Sequence, residues 1–315
     1  MKSGSIKTSI SIKDRICAIL RYIALNKWLY FMFVPGMIIF FIFNYIPMYG
    51  VILAFKEFNI RLGIIRSPWI GLKHFSKLFN DQKFADVFKN TVIISLLKIA
   101  AGIPFAPGLA ILLSEIRAIK FKRAIQTMSY LPYFISWVVV YGMFYSFLSI
   151  DGIVNSILSG WGFEPVSFLT RPELFRTIIV AADIWKNFGW GSIIYLAAIS
   201  GIDPTQYEAA IIDGASRIQK IAYITIPALK GALFTVLILM LGGIMSAGFD
   251  QIFVFYNEAV YSTGDIIDTY VYRIGLIAGK FEMATAFGLF KSAIGFALLA
   301  GANYLSRKYN EVGLY

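Results

Sequence analysis

Four side chains that could contact a polar ligand lie at helical spacing within one apolar run. Asp183, Lys186, Asn187 and Trp190 are spaced so that they share one face of a helix. The carboxylate, ammonium and amide groups can pair with hydroxyl groups, and the indole ring can stack on the apolar face of a sugar ring. The same spacing also fits an internal Asp183–Lys186 ion pair or a hydrogen-bonded helix interface. The stripe is therefore a candidate ligand surface with a structural alternative.

Two further lysines, Lys98 and Lys291, lie within other apolar runs. A charged side chain inside hydrocarbon costs at least about 2.5–3.5 kcal/mol, so each lysine requires a functional or structural reason. Lys98 is followed by Pro104 and Pro107, which are tolerated where a span lines a cavity or packs on protein. Each lysine could instead extend its ammonium group to the membrane surface.

Aromatic side chains recur every four residues in another apolar run, at Tyr133, Trp137, Tyr141 and Tyr145. This spacing places the rings along one helix face. Such a stripe fits packing against protein or a position at the lipid boundary. Tyr145 is also a candidate for a ligand pathway, because a phenol ring can stack on a sugar.

The composition is not that of an ordinary soluble chain. The 315 residues are 58% hydrophobic, 17% aromatic and only 15% charged, so the bilayer is the better solvent. The net charge of +11 comes from basic residues scattered between apolar runs, which does not suit nucleic acid. A single cysteine, Cys17, gives no disulfide framework, and a single histidine, His74, argues against a His/Cys metal site. The basic residues 1–27 lack a small-residue cleavage site, so no cleavable signal is predicted.

Six runs are long enough to cross a bilayer as helices, which requires about 20 residues. They predict spans at residues 28–55, 91–114, 124–148, 176–199, 231–249 and 284–305. The segments on one side of these spans hold 15 Lys/Arg and 6 Asp/Glu, whereas those on the other side hold 10 and 11. Cytoplasmic loops are enriched in basic residues, so both termini and the connection 203–229 are predicted to be cytoplasmic. The predicted parts are a basic segment 1–27, a transmembrane domain 28–305 with an external loop 56–90, and a tail 306–315.

The polar connection at residues 203–229 has the pattern of two short helices. Asp203 is placed to cap a helix that begins at Pro204, and Gln206 completes a weak capping-box pattern. Gly214 is suited to the left-handed conformation that ends a helix, and Pro227 forbids simple continuation of the second helix. The connection therefore predicts two short helices at an angle, lying at the membrane surface, with small and charged residues available for docking.

This connection resembles the EAA signature of the membrane subunits of bacterial ABC importers. The matching residues, at the spacing of the signature, are Glu208-Ala209-Ala210, Gly214, Ile224 and Ile226-Pro227. The chain departs from the family at Ile226, usually Leu, and at Ile221, commonly aromatic in sugar importers; both changes keep an apolar side chain. The resemblance implies a coupling helix that docks in a cleft of an ATP-hydrolysing subunit, through Glu208, Ala209, Ala210, Asp213, Gly214, Arg217, Ile221 and Pro227.

A second motif, Trp69-Ile70-Gly71-Leu72-x-x-Phe75 followed by Asn90-Thr91, resembles oligosaccharide-importer permeases near the alginate and lipopolysaccharide-precursor branch. The resemblance covers roughly residues 28–310. It implies an all-α, polytopic membrane protein with about six transmembrane helices and the type I importer permease fold. Lys98, Lys186 and Lys291 outnumber Asp183 in the spans, which adds the hypothesis of an anionic oligosaccharide cargo, such as a uronic-acid fragment.

The resemblance also implies an assembly in the bacterial cytoplasmic membrane. Its other members would be a second, homologous permease, more often a different chain, two ATP-binding subunits and a solute-binding protein on the outside. The sequence contains no G-x-x-x-x-G-K-[ST] phosphate loop. We therefore expect no enzyme activity and no cofactor in this chain, with ATP and Mg²⁺ bound by the partner subunits.

Two other functions remain open at this point. A secondary transporter or channel could use the Asp183 and Lys186 stripe as an ion relay, but the EAA-like spacing would then have no explanation. A membrane-embedded glycan enzyme would normally need a carboxylate cluster at one membrane face, and the sequence shows none.

Overall fold

The computed structural model describes residues 21–310. Within this range the chain is helical apart from its connections and one isolated antiparallel bridge between Lys56 and Trp69. The predicted all-α class is therefore confirmed.

In the first half of the described chain, short helices join three long helical stretches, Lys27–Phe55, Gln82–Glu115 and Trp137–Gly160. The first, α1, spans Lys27–Phe55, with π-helical geometry at Phe41–Tyr45 and 3₁₀ geometry at Ile46–Phe55. The helices that follow are α2 (Gly63–Arg66), α3 (Lys73–Phe79), α4 (Gln82–Glu115), α5 (Ile119–Tyr130), α6 (Trp137–Leu148) and α7 (Ile153–Gly160). A 3₁₀ turn, Leu131–Phe134, separates α5 from α6.

The second half begins with the 29-residue helix α8 (Pro172–Ser200). It is followed by α9 (Pro204–Ile212), α10 (Arg217–Ala228, π-helical at Ile221–Thr225), α11 (Lys230–Gly242), α12 (Phe249–Phe255), α13 (Tyr261–Gly264), α14 (Ile267–Tyr272) and α15 (Phe281–Asn310). Shorter 3₁₀ or π segments are Phe168–Thr170, Glu258–Val260 and Arg273–Ile277.

Within residues 21–310, four helical stretches are long and apolar enough to cross a membrane: Lys27–Phe55, Gln82–Glu115, Trp137–Gly160 and Phe281–Lys308. A fifth is possible if α10 and α11, which meet at a bend of 52°, count as one span. The helix α8 is about 43 Å long at 1.5 Å per residue, which is enough to cross. It contains the predicted fourth span, although two charged residues, Asp183 and Lys186, lie in the middle of this helix.

Two predicted spans are interrupted. The predicted span 124–148 is divided because Pro132 cannot donate a helical hydrogen bond, and the chain forms a 3₁₀ turn before α6 begins after its cap, Ser136. The predicted span 231–249 ends early, at Gly242, and residues 243–248 are not regular helix before α12. By contrast, α4 continues through Pro104 and Pro107.

Three buried apolar clusters hold the bundle together. The largest joins α4, α6, α8 and α12 around residues such as Ile179 and Phe255. A second, around Phe84 and Phe287, joins α3, α4, α14 and α15, and a third, around Tyr195 and Leu229, joins α4, α8 and α11. The helix α1 packs less on the rest of the bundle than the other membrane-length stretches do, since only 6% of the residues in its most apolar segment are buried. Because α4 and α8 take part in most of these contacts, they form the centre that positions the polar residues described next.

Candidate functional sites: a bundle cavity and an exposed hairpin

A cavity of about 200 Å³ lies between α4, α8 and α11. Its wall is largely apolar, with contributions from Ile103, Leu233 and Met240. The polar and aromatic residues that line it are Lys98, Tyr133, Asp183, Asn187, Phe188, Trp190 and Tyr195. Four of the seven predicted pathway residues, Lys98, Asp183, Asn187 and Trp190, therefore meet at one cavity, although they come from two helices.

Lys98 connects this cavity to the interruption between α11 and α12. Its ammonium nitrogen lies 3.4 Å from Oδ1 of Asp183 on the cavity wall. It also donates to the carbonyl oxygen of Ala247 at 2.9 Å and to Oε1 of Gln251. The Gln251 side chain is held in turn, since its Nε2 donates to the carbonyl oxygen of Ile179 at 2.7 Å. Lys98 is therefore a half-buried cation with three oxygen partners.

The interruption at residues 243–248, which we call the 243–248 break, has a strained backbone. Ala247 has a φ of 46° and Gly248 a φ of 86°, a region that side chains with a Cβ rarely adopt. A Cβ at position 248 would also lie 2.8 Å from the ammonium of Lys98. Two carbonyl groups of the break accept hydrogen bonds from α4: that of Ile244 from Ser95 and that of Ala247 from Lys98. The break is thus stabilised by residues of α4.

Lys186 has a different environment from the rest of the predicted stripe. Its ammonium group donates to the carbonyl oxygens of Pro132, at 3.1 Å, and Tyr133, at 2.6 Å, and to that of Ile135. It also lies 5.4 Å from the centre of the Trp137 ring. The expected alternative, an Asp183–Lys186 ion pair, is not what the structure has, because Asp183 pairs with Lys98. Lys186 therefore supplies a donor to carbonyl groups in and directly after the 3₁₀ turn between α5 and α6, and only 7% of the residue is exposed.

Trp190 presents part of an aromatic wall to the cavity. Its indole stacks on Tyr133 with ring centres 4.7 Å apart and an angle of 8°, and 42% of the residue remains exposed. The neighbouring Gly189 allows α5 to approach, since a Cβ there would lie 1.9 Å from the carbonyl oxygen of Ser129. Asn187, one turn away, makes no hydrogen bond within residues 21–310. Its amide is therefore available to a ligand.

The remaining two predicted pathway residues do not line this cavity. Lys291 donates to both carboxylate oxygens of Asp268, at 2.6 and 2.7 Å. Tyr145 is 53% exposed and lies 6.0 Å from Tyr141, measured between ring centres. Of the three lysines predicted within the spans, Lys98 pairs with Asp183 and Lys291 with Asp268, so within residues 21–310 only Lys186 lacks a carboxylate partner.

Sequence reasoning missed a buried polar network at the other end of α4. Asn90 donates to the carbonyl oxygens of Ser262 and Asp265, both at 3.1 Å, and accepts from Arg176 at 2.7 Å. Arg273 pairs with the carboxylate of Asp265 and lies 4.7 Å from the ring centre of Tyr261. In the sequence, Asn90 and Thr91 stood out only as two consecutive residues of a motif, and that motif did not predict these hydrogen-bond partners. This network ties α4 and α8 to the segment after α12.

The connection Asp203–Leu229 forms the two expected short helices, α9 and α10, joined by a turn; we call this helix–turn–helix segment the α9–α10 hairpin. Asp203 accepts from the backbone N–H of Thr205 at 3.0 Å, and this hydrogen bond lowers the pKa of the Asp203 carboxyl. Gly214 has a φ of 73° and ends α9, as expected of a left-handed terminator. The capping box, however, forms at the second helix, between Ser216 and Gln219, and not at Gln206.

Most of the predicted docking positions on the hairpin are open. Glu208, Ala209, Asp213, Gly214, Arg217 and Pro227 are exposed, and Ala210 and Ile221 are half-buried. The hairpin also exposes Ile212 (86%), Ile218 (79%) and Tyr223 (79%). Within residues 21–310 neither Glu208 nor Asp213 has an ion-pair partner, whereas Arg217 binds the Glu115 carboxylate at the end of α4. A surface with free carboxylates and exposed apolar side chains is suited to a protein partner.

Comparisons with known proteins agree with this architecture. Residues 99–311 match the protein family described as binding-protein-dependent transport system inner membrane component. The chain is 40% identical to protein LplB of Bacillus subtilis (strain 168), over 92% of each chain. It is 41% identical to the polygalacturonan/rhamnogalacturonan transport system permease protein YteP of the same organism, over 92% of this chain and 91% of that one.

One solved structure is similar along nearly the whole chain. It is described as a bacterial ABC transporter involved in the import of the acidic polysaccharide alginate. The matched chain is 40% identical, with a TM-score of 0.85 over 93% of this chain and 99% of that one.

Proposed function

The chain belongs to the family of binding-protein-dependent transport system inner membrane components, and on that premise we propose that it imports acidic oligosaccharides. As a member of that family it is a multi-pass permease of the inner membrane, a non-catalytic subunit of an ABC importer. The observation that carries the proposal is the near-complete match to permeases whose named cargoes are polysaccharides.

The acidic character of the cargo is supported first by these relatives. One is named for polygalacturonan and rhamnogalacturonan, and the other is described by its acidic substrate, alginate. Identity near 40% over more than nine tenths of the chain supports a similar class of cargo here.

The cavity supplies the contacts that such a cargo needs. Asn187 offers an unused amide, and Trp190 offers a partly exposed ring face to a pyranose. Lys98 can exchange the Asp183 carboxylate, 3.4 Å away, for a carboxylate of the substrate, and Asp183 can accept from sugar hydroxyl groups. We place Lys186 and Lys291 outside the direct contacts, because only Lys98 of the three lysines lines the cavity.

The α9–α10 hairpin is the proposed point of energy coupling. It would dock on a separate ATP-binding subunit in the cytoplasm, with Glu208 and Gly214 at the contact and Arg217 joined to α4 through Glu115. Both termini would share the cytoplasmic side. Closure of the ATPase would then move the hairpin and bias the bundle between two access states, which requires different contacts in each state.

The complete assembly would contain four other protein components. These are a second, homologous permease, two ATP-binding subunits that hold Mg²⁺ and ATP, and a solute-binding protein on the outer face. The exposed apolar surface of α1 supports a membrane partner, although lipid also suits it.

The test is ATP hydrolysis by the assembled complex with a panel of oligosaccharides of equal length. Acidic oligomers should stimulate hydrolysis more than neutral ones, and Lys98→Met should remove the difference. Equal stimulation by neutral and acidic oligomers would overturn the acidic cargo. Transport by the chain without any ATPase would overturn the importer and favour an ion-driven transporter.

A further inference from the structure

The start of α5 carries a concentrated positive charge. Four basic residues fall within seven positions: Arg117, Lys120, Lys122 and Arg123. All but the half-buried Lys122 are exposed, and within residues 21–310 none of the four forms an ion pair. The nearest acid along the chain, Glu115, is occupied by Arg217. This set, the basic patch, therefore lacks compensating charge.

Apolar side chains share the surface of the basic patch. Ile119 is 74% exposed, Phe121 59% and Met128 74%. A groove of about 410 Å³ runs along the helix, lined by Lys120, Arg123 and Thr127 together with Ile119, Ala124 and Met128. Cations and apolar groups thus alternate along one open groove. A soluble anion alone would leave the apolar half of the groove in water.

We propose that this groove binds an anionic phospholipid of the cytoplasmic leaflet. The phosphate would accept from Lys120 and Arg123, and the upper part of an acyl chain would cover Ile119 and Met128. The position fits, because α5 leads through one 3₁₀ turn into the membrane-length stretch that begins at Trp137. The cytoplasmic leaflet is the one rich in anionic lipid. The choice of leaflet rests on the orientation given under the proposed function.

The groove is connected to the α9–α10 hairpin. Arg117 is two positions from Glu115, which pairs with Arg217 at the start of α10. Arg217 also donates to the backbone carbonyl oxygen of Glu115 at 3.1 Å. A lipid bound at the basic patch therefore contacts the segment that holds the hairpin, and it should change how tightly the hairpin is held.

The test measures lipid binding by the purified full-length chain in a neutral detergent. Phosphatidylglycerol and phosphatidylcholine are compared as ligands for the wild type and for R117Q/K120Q/K122Q/R123Q. We expect the wild type to prefer phosphatidylglycerol, with affinity falling about five-fold for each basic residue removed. The matched control is K73Q/K77Q/K83Q/K89Q, which removes four exposed lysines elsewhere and should keep the preference.

A second variant separates a lipid from a free anion. I119S/M128S keeps all four cations but removes apolar groups from the groove, so it should lose phosphatidylglycerol affinity. Inorganic phosphate should compete weakly with the lipid in the wild type. The proposal is overturned if R117Q/K120Q/K122Q/R123Q binds phosphatidylglycerol like the wild type while retaining its melting temperature. It is also overturned if phosphate binds as tightly as the lipid, or if I119S/M128S binds the lipid unchanged.

Two further measurements separate this proposal from the proposed function. Lipid binding in detergent needs neither cargo nor ATPase, so its failure would leave the importer standing. Labelling of Ala118→Cys in a Cys17→Ser background, from each side of the membrane, tests the leaflet. Labelling from the outside alone would overturn the cytoplasmic site, as would protection of this position by a copurified ATP-binding subunit and not by phosphatidylglycerol.

Discussion

The ammonium nitrogen of Lys98 lies 2.9 Å from the carbonyl oxygen of Ala247, although 149 positions separate the two residues. The same nitrogen faces Asp183 in the cavity at 3.4 Å. One cation therefore touches both the candidate substrate site and the strained 243–248 break. Any change of its partner on the cavity side alters the charge that the break experiences.

Replacement of Lys98 by Met should impair both stability and transport. The variant leaves the Ala247 carbonyl without its donor and Asp183 without its cation, at a cost of about 1–3 kcal/mol for a buried polar group. Lys98→Arg, which keeps the charge, should retain more of both properties. Thermal unfolding of the purified chain and uptake by the assembled complex are the two measurements. Wild-type values for Lys98→Met would show that the contact has no consequence.

Neighbouring residues on α8 should separate structural from substrate effects. Lys186→Met should destabilise the chain by about 1–3 kcal/mol, because three carbonyl oxygens lose their donor, and should leave the order of substrate preference unchanged. Asn187→Ala should leave the free energy of unfolding unchanged and alter the order of substrate preference, since the Asn187 amide has no partner within residues 21–310. Unfolding and the stimulation of ATP hydrolysis by different oligosaccharides are compared. A change of substrate preference in Lys186→Met would return that residue to the pathway.

The contact of α8 with α5 should depend on a glycine. Gly189→Ala places a Cβ 1.9 Å from the Ser129 carbonyl oxygen, so the helices must separate, at a cost of about 1–3 kcal/mol. The matched control is Gly191→Ala, whose Cβ would lie 3.4 Å from that of Ala106, an ordinary contact. The melting temperatures of the two purified variants should therefore differ. Similar values would mean that α5 and α8 can move apart freely.

The coupling role should be visible at Gly214. Its φ of 73° disfavours a side chain by about 1–2 kcal/mol, although no other atom lies within 4 Å of a Cβ there. Gly214→Val should therefore still insert into the membrane but lose substrate-stimulated ATP hydrolysis in the complex. Gly231→Val, where the surroundings are equally open and φ is ordinary, is the control. Unchanged stimulation in Gly214→Val would refute docking through this hairpin.

Local signals predicted most of the α9–α10 hairpin, although its capping box forms at Ser216 and Gln219 and not at Gln206. Asp203, Pro204 and Gly214 act within a few residues of themselves, and the structure has the cap, the helix start and the left-handed terminator where the sequence predicted them. The predicted membership of the ABC importer permeases is confirmed by the family match and by relatives near 40% identity. The contacts of the hairpin with an ATPase stay a prediction.

Long-range partners could not be predicted from spacing. Lys186 reaches Pro132, 54 positions earlier, and Lys98 reaches Gln251, 153 positions later, so neither pairing leaves a periodic signal. Both lysines donate hydrogen bonds to backbone carbonyl groups where a helix is interrupted. Lys186 does so at the interruption caused by Pro132, and Lys98 at residues 243–248. The predicted spans 231–249 and 284–305 leave Gln251 in the loop between them, whereas in the structure it is fully buried where α12 packs on α8.

The bend of 52° at Leu229 has a mechanical consequence. The helix α10 extends about 18 Å from this point at 1.5 Å per residue, and Leu229 itself is buried, at 1% exposure. A rotation of about 10° around this anchored residue would carry Arg217 through roughly 3 Å by the geometry of a lever arm. Because Arg217 is hydrogen-bonded to Glu115 at the end of α4, we expect a small rotation at one end of α10 to displace a helix that lines the cavity.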